Sequence, residues 1–182
     1  RTVERISTFE LSNCEASTTR ALAMPIYQTA TYGFDTVDDM NSSWDRTGLV
    51  YTREGSPTVY ALEEKLALLE GGEAALATAS GMGAITTALW SSVEAGDEIV
   101  ADETLYGCTF ALLSHGITKF GVKVRLVDMT DLAALKAALT EKTKVVYLET
   151  PCNPTLKIVD IAAVAAAAHG YNPAIQVMVD NT

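Results

Sequence analysis

The chain has 182 residues, 48% of them apolar and 20% charged, a mix that excludes a collagen-like, low-complexity or disordered polypeptide and fits about one domain. Thirteen Lys and Arg stand against 23 Asp and Glu, a formal charge of −10. So acidic a surface repels nucleic-acid phosphates and anionic headgroups, so no nucleic acid and no membrane is expected as a partner; a small phosphorylated ligand in one pocket remains compatible. Cys14, Cys108 and Cys152 form neither a CxxC pair nor a zinc-type spacing with histidine. No disulfide framework and no metal site is expected, and reduced thiols in a cytoplasmic compartment fit. No apolar run approaches the roughly 18 residues needed to cross a bilayer, and Arg1-Thr2-Val3-Glu4-Arg5 leads into a polar stretch without a signal core.

Residues 1–50 are rich in Ser, Thr, Asn and Asp, with apolar groups in isolated clusters such as Met24-Pro25-Ile26-Tyr27. They are expected to form an extended arm with one short helix near 37–44, packed on a neighbouring subunit. Ser56 suits an N-cap and Pro57 a first helical position. Val59, Leu62, Leu66 and Leu69 then recur at helical spacing until Gly71-Gly72 stop the helix. Beyond it a strand is expected over 74–79, a helix over 82–93 and a strand over 98–101. A helix over 107–119, a strand over 122–127 and a helix over 132–139 follow. The pattern closes with a strand over 145–148, a helix over 161–169 and a strand over 176–179. Short apolar strands alternating with helices imply βαβ units: an α/β fold with a mainly parallel sheet and helices on both faces. Ligands of such sheets sit at the carboxyl ends of the strands, so the residues after each strand carry the chemistry.

Ser80-Gly81-Met82-Gly83 follows the first expected strand. Small residues there either let backbone N–H groups point at an anion or simply permit a tight turn; the spacing is neither GxGxxG nor a Walker loop. Tyr106 and Cys108 follow the next strand, where the ring can cover a planar ligand or merely pack, and the thiol can act or merely fill space. Glu149-Thr150-Pro151-Cys152-Asn153-Pro154 is a stiff turn that fixes the direction of Asn153, with or without a ligand. Asp180 ends the last strand, and a carboxylate there needs a partner, either structural or a protonated ring nitrogen. Arg53, in Tyr51-Thr52-Arg53, is either a phosphate fork or a surface arginine.

Taken in order, Tyr51-x-Arg53 with Pro57-Thr58, Ser80-Gly81-Met82, Leu105-Tyr106-Gly107, Glu149-Thr150-Pro151-x-Asn153-Pro154 and Val179-Asp180-Asn181-Thr182 resemble the cystathionine/methionine-metabolism family of pyridoxal-phosphate enzymes. The resemblance runs from Met24 to Thr182. It implies an aspartate-aminotransferase-like (PLP fold type I) large domain, of which 51–182 is the first part and which the arm of 1–50 precedes. It implies pyridoxal 5′-phosphate as cofactor, with Ser80, Gly81 and Met82 at its phosphate. Asp180 would pair with the pyridinium nitrogen, Asn153 would lie near the ring oxygen, and Thr182 would be a further cofactor-binding residue. Tyr51, Thr52 and Arg53 would reach the phosphate in a neighbouring subunit, so the partner is the chain itself, as a homodimer or homotetramer with shared active sites. Tyr106 would stack on the ring and deliver a proton to the leaving thiol, with Arg53 of the next subunit favouring its ionisation. Cys108 would lie at the sulfur end of a small sulfur amino acid.

Within the family, Cys108 and Met82 tilt the implied reaction toward α,γ-elimination of L-methionine to methanethiol, 2-oxobutanoate and ammonia. The alternatives are cystathionine lysis or synthesis, or sulfhydrylation of an acylated homoserine; a non-catalytic Rossmann-like binding domain, or a truncated subunit that only associates with a full-length one, is the reading from another class. Two departures stand out. Ser56 replaces the family's usual Asn before Pro-Thr. The seven lysines all precede Asp180 and none matches the motif of the cofactor-holding lysine. That lysine is expected beyond Thr182, in a longer polypeptide of which this sequence is the amino-terminal portion.

Overall fold

The computed structural model describes residues 24–47 and 49–182; the expectations for Cys14 and for the first 23 positions of the arm lie outside the described residues. The chain divides into two units between Ala77 and Thr78.

In the first unit the arm folds back on the segment ahead of its second helix. Thr31 and Tyr51 form an antiparallel bridge. Tyr32 N–H donates to the Val50 carbonyl at 3.2 Å, and Thr52 N–H donates to the Ala30 carbonyl at 2.9 Å. Helix α1 (Val37–Thr47) extends past the expected end at Trp44. It starts at Thr36, whose hydroxyl accepts the Asp39 N–H at 3.1 Å and donates to the Asp39 carboxylate at 2.6 Å. Asp38 and Asp39 in the first turn also suit the positive end of the helix dipole. Helix α2 (Pro57–Glu70) has Pro57 at its start as expected. Ser56 occupies the cap position in extended backbone, but its hydroxyl makes no capping bond, so proline geometry rather than a side-chain cap begins this helix. Gly71, at φ +65°, turns the chain out, and Gly72 N–H returns to the Ala67 carbonyl at 2.8 Å. A left-handed residue at this point favours glycine, which has no Cβ to clash.

Residues 74–79, expected as a strand, run without a ladder partner among the described residues. Alanine is a weak strand former. Ala77 N–H instead donates to the Glu63 carboxylate at 2.8 Å.

The second unit is a four-stranded parallel sheet: β1 (Glu98–Asp102), β2 (Lys123–Val127), β3 (Thr143–Glu149) and β4 (Gln176–Asp180), in the order β2-β1-β3-β4. Both faces of the central strands are buried, as continuous apolar runs require. Val100, Val146 and Leu148 face one layer with Leu135, Val164 and Ala168, from helices α5 (Leu132–Ala138) and α6 (Ile161–Tyr171). Ile99, Ala101, Val145 and Tyr147 face the other, with Leu89 of α3 (Gly81–Ser92) and Leu113. The expected α/β architecture is therefore present, helices on both faces included. Where a single helix over 107–119 is expected, α4 (Gly107–Ala111) passes into a wider π turn (Leu112–Gly116) and a tighter 3-10 turn (Ile117–Phe120). A Cβ at Gly116 would meet Leu112 Cδ1 at 3.0 Å, so this widened turn suits glycine. Among the described residues no helix is long and apolar enough to cross a membrane.

An ion cluster ties the loop after β3 to the ends of β1 and β2. Lys157 Nζ lies 3.0 Å from Asp102 Oδ1 and 2.6 Å from Asp128 Oδ1. Asp102 is fully buried, and its second oxygen has no partner among the described residues. Lys157→Met would leave that carboxylate without its cation and is expected to cost about 3 kcal/mol of stability, most of it recovered by adding Asp102→Asn; thermal melting of the two variants checks this. The Lys157 ammonium, and then Thr130, hold Asp128 down at about 2, below its ordinary value of 3.8. A depressed carboxylate contributes stability above its unfolded pKa and loses it as pH falls through the folded value. The melting temperature is therefore expected to fall more steeply for the wild type than for Asp128→Asn between pH 3.8 and about 2.

Candidate active site

From β1 the chain goes to β2 on one side of the sheet, while β3 lies on the other, so the strand order reverses between β1 and β3. Open α/β sheets carry their ligand crevice at such a point, outside the carboxyl ends of the strands. A cavity of about 800 Å³ opens there. Residues Ser80, Gly81 and Met82 at the start of α3 line it, as do Tyr106 after β1, Glu149 and Asn153 at and after β3, and Asp180 and Thr182 at and after β4.

The α3 wall presents the N-terminus of a helix to the cavity. The Ser80 hydroxyl accepts the Gly83 N–H at 3.0 Å, and the Ser80 carbonyl accepts the Ala84 N–H at 3.0 Å. The N–H groups of Gly81 and Met82 find no acceptor among the described residues, and they sit at the positive end of the helix dipole. The Met82 sulfur receives the hydroxyl of buried Thr109 at 3.8 Å, which anchors this turn on α4.

The strand ends supply negative charge. Glu149 and Asp180 are register partners in the β3–β4 ladder, continued by Thr150 N–H to the Asp180 carbonyl at 3.0 Å. Asp180 Oδ2 accepts the Tyr147 hydroxyl at 3.4 Å, and its Oδ1 accepts the Thr182 hydroxyl at 2.7 Å and N–H at 3.1 Å. Burial, and then the Asp180 charge, push the Tyr147 phenol well above its ordinary pKa, so it stays a donor to that carboxylate. Glu149, buried, accepts the N–H groups of Tyr106 at 2.6 Å and Asn153 at 2.8 Å. Neither carboxylate has a cation partner among the described residues. One cavity thus joins free N–H donors to two carboxylates with no counter-ion, a match for a ligand anionic at one end and cationic at the other.

Tyr106 is 41% exposed, and its phenol oxygen accepts the Cys108 thiol at 3.4 Å. That sulfur raises the Tyr106 pKa. Cys152, by contrast, is buried against the Thr104 carbonyl at 3.1 Å, and burial pushes its thiol up. Sequence-derived candidates Ser80, Gly81, Met82, Tyr106, Asn153, Asp180 and Thr182 all line the cavity, with Cys108 bonded to Tyr106. Tyr51, Thr52 and Arg53 belong to the first unit. There Arg53 stacks 5.0 Å over the Tyr51 ring and its Nε lies 3.5 Å from Glu54, largely exposed. Sequence reasoning assigned no role to Glu149 or Tyr147. Glu149 ends an apolar strand just as Asp180 does, so the argument applied to one carboxylate identifies the other.

Fold and cavity together define a parallel α/β domain with a ligand crevice at its switch point. The chain belongs to the Cys/Met metabolism PLP-dependent enzyme family, whose pattern it matches over residues 8–182. L-methionine gamma-lyase of Treponema denticola is 53% identical to it over 164 residues, 89% of this chain and 41% of that protein. L-methionine gamma-lyase of Fusobacterium nucleatum subsp. polymorphum is 54% identical over 163 residues, 88% of this chain and 41% of that protein. The crystal structure of cystathionine gamma-lyase from Lactobacillus plantarum complexed with L-serine superposes with a TM-score of 0.80 at 40% identity, covering 91% of this chain and 41% of that one. The chain thus spans about two fifths of the length of the curated relatives it matches. Its cofactor, pyridoxal phosphate, carries a phosphate and a ring nitrogen that can be protonated, and the unpartnered N–H groups and the carboxylates fit those two ends.

Ser80→Ala removes the α3 cap and is expected to lower stability by about 1 kcal/mol, measured by thermal melting.

Proposed function

We propose that this chain is the cofactor-binding part of a carbon–sulfur lyase that converts L-methionine and water to methanethiol, 2-oxobutanoate and ammonia. The observation that carries the proposal is the pairing, in one cavity, of the open α3 N-terminus with Asp180, which has no counter-ion. Identities of 53% and 54% to two L-methionine gamma-lyases support the choice of substrate. Gly81, Met82 and Ser80 would hold the cofactor phosphate, Asp180 and Thr182 its ring nitrogen, and Asn153 its ring oxygen. The chemistry the group supplies when bound is a sink for the electron pair released on breaking the substrate Cα–H bond. Asp180, oriented by Tyr147 and Thr182, keeps a negative charge where that sink needs a protonated nitrogen.

Tyr106 holds a proton on its phenol oxygen and passes it to the departing sulfur. A phenol and a simple alkyl thiol ionise in the same range, so the transfer is close to neutral. Cys108 raises the Tyr106 pKa within the chain, so ionisation of the phenol calls for a cation from elsewhere. Arg53 of a neighbouring subunit fills that need in a homodimer or homotetramer, where Tyr51, Thr52 and Arg53 also reach the partner's phosphate. Residues 1–50 are then the inter-subunit arm and 51–182 the first part of the cofactor domain, in a cytoplasmic enzyme. The cofactor-holding lysine belongs to a part of the protein outside this sequence: no lysine lines the cavity among the described residues, and Lys157 is engaged by Asp102 and Asp128.

The full-length protein given pyridoxal phosphate is expected to develop a visible band that borohydride reduces, and to release methanethiol from methionine alone. Absence of that band would sink the proposal. The likeness to a cystathionine gamma-lyase favours cystathionine as the second substrate to assay, and a strong preference for it would reassign the reaction. Tyr106→Phe is expected to lower kcat by about 10²- to 10⁴-fold, the range for loss of a positioned proton donor, with the visible band retained.

A further inference from the structure

We propose that Glu149 is a positioning residue that sets Tyr106 and Asn153 against each other across the cavity. This inference rests on the reading of those two residues as ligand-facing groups. Glu149 is 5% exposed at the last position of β3. Its two oxygens divide the work: Oε2 accepts the Tyr106 N–H at 2.6 Å, and Oε1 accepts the Asn153 N–H at 2.8 Å. Hydrogen bonds to an ionised acceptor are about twice as strong as neutral ones. The two donors sit on separate loops, one after β1 and one after β3, so a single side chain fixes their mutual placement. Buried Leu105 and Thr109 anchor the chain on either side, but Tyr106 itself is 41% exposed and heads a helix of only five residues, so its own packing does little to fix it.

A buried carboxylate without a cation is costly unless its lone pairs are filled. A glutamine would occupy the same space at lower cost, but it offers one acceptor and one donor. One of the two backbone N–H groups would then face an NH₂ group. Only a carboxylate with the reach of glutamate accepts both, and aspartate is one methylene short.

The experiment compares wild type, Glu149→Gln and Glu149→Asp in the full-length protein. In the cofactor-free proteins, hydrogen exchange at the Tyr106 and Asn153 amides is expected to speed up in both variants, with the sheet amides of β1 and β3 unchanged. In the loaded enzymes, the visible circular dichroism of pyridoxal phosphate is expected to change at full occupancy. The kcat for methionine is expected to fall about hundredfold, as misplacement by about 1 Å can cause, while KM changes less than about threefold. Unchanged amide exchange and unchanged kcat overturn the inference. A fall in activity that only tracks lost folding or lost cofactor, in either variant, also overturns it, leaving Glu149 a structural prop. Wild type that forms no reducible band and releases no thiol refutes the proposed function instead, while the amide exchange still reports whether the clamp exists.

Discussion

The parallel register of β3 against β4 is the constraint on which the site depends. Pairing Val145 with Gln176 and continuing in step to Glu149 with Asp180 places two carboxylates side by side where the sheet ends. A slip of β4 by one residue would send Asp180 to the face opposite Glu149. Burial of alternate residues on both faces specifies that register strongly, because Val146 and Leu148 belong to one core and Val145 and Tyr147 to the other. The apolar layers thus decide where the charges stand.

Electrostatics then divides the cavity. Backbone amides at the head of α3 supply partial positive charge that needs no ionisable group, and the strand ends supply formal negative charge. Tyr147 and Thr182 occupy the lone pairs of Asp180 without neutralising it, and the Tyr106 and Asn153 amides do the same for Glu149. Filling lone pairs with neutral donors lowers the cost of burying a charge while leaving that charge free to act on a ligand.

Much of this was legible in the sequence because local rules and the global fold agree. The alternation of apolar strands with helices identifies the parallel sheet, and the rule that ligands sit at strand ends points to Asp180, Asn153 and Tyr106, which line one cavity. The failures are equally physical. Residues 74–79 look like a strand in an apolar count, but a strand exists through its ladder, and no described edge receives them. Ser56 has the composition of a cap without the bond, because Pro57 already fixes the turn. The widened turn at Leu112–Gly116 depends on a close approach between a side chain and a backbone that periodicity does not encode. Glu149 carries the same strand-end signal as Asp180, but its partners are main-chain amides of other loops, so what it holds shows only in the fold.

The outermost strand illustrates how charge guards an architecture as well as a site. β2 alternates Lys123 and Arg125, both leaning on Glu98 of β1 at 3.8 and 3.3 Å. Two cations beside a row of peptide groups unpaired among the described residues make that rim a poor template for another chain to zip onto. The residues that brace β2 against β1 thus also discourage edge-to-edge pairing at that rim.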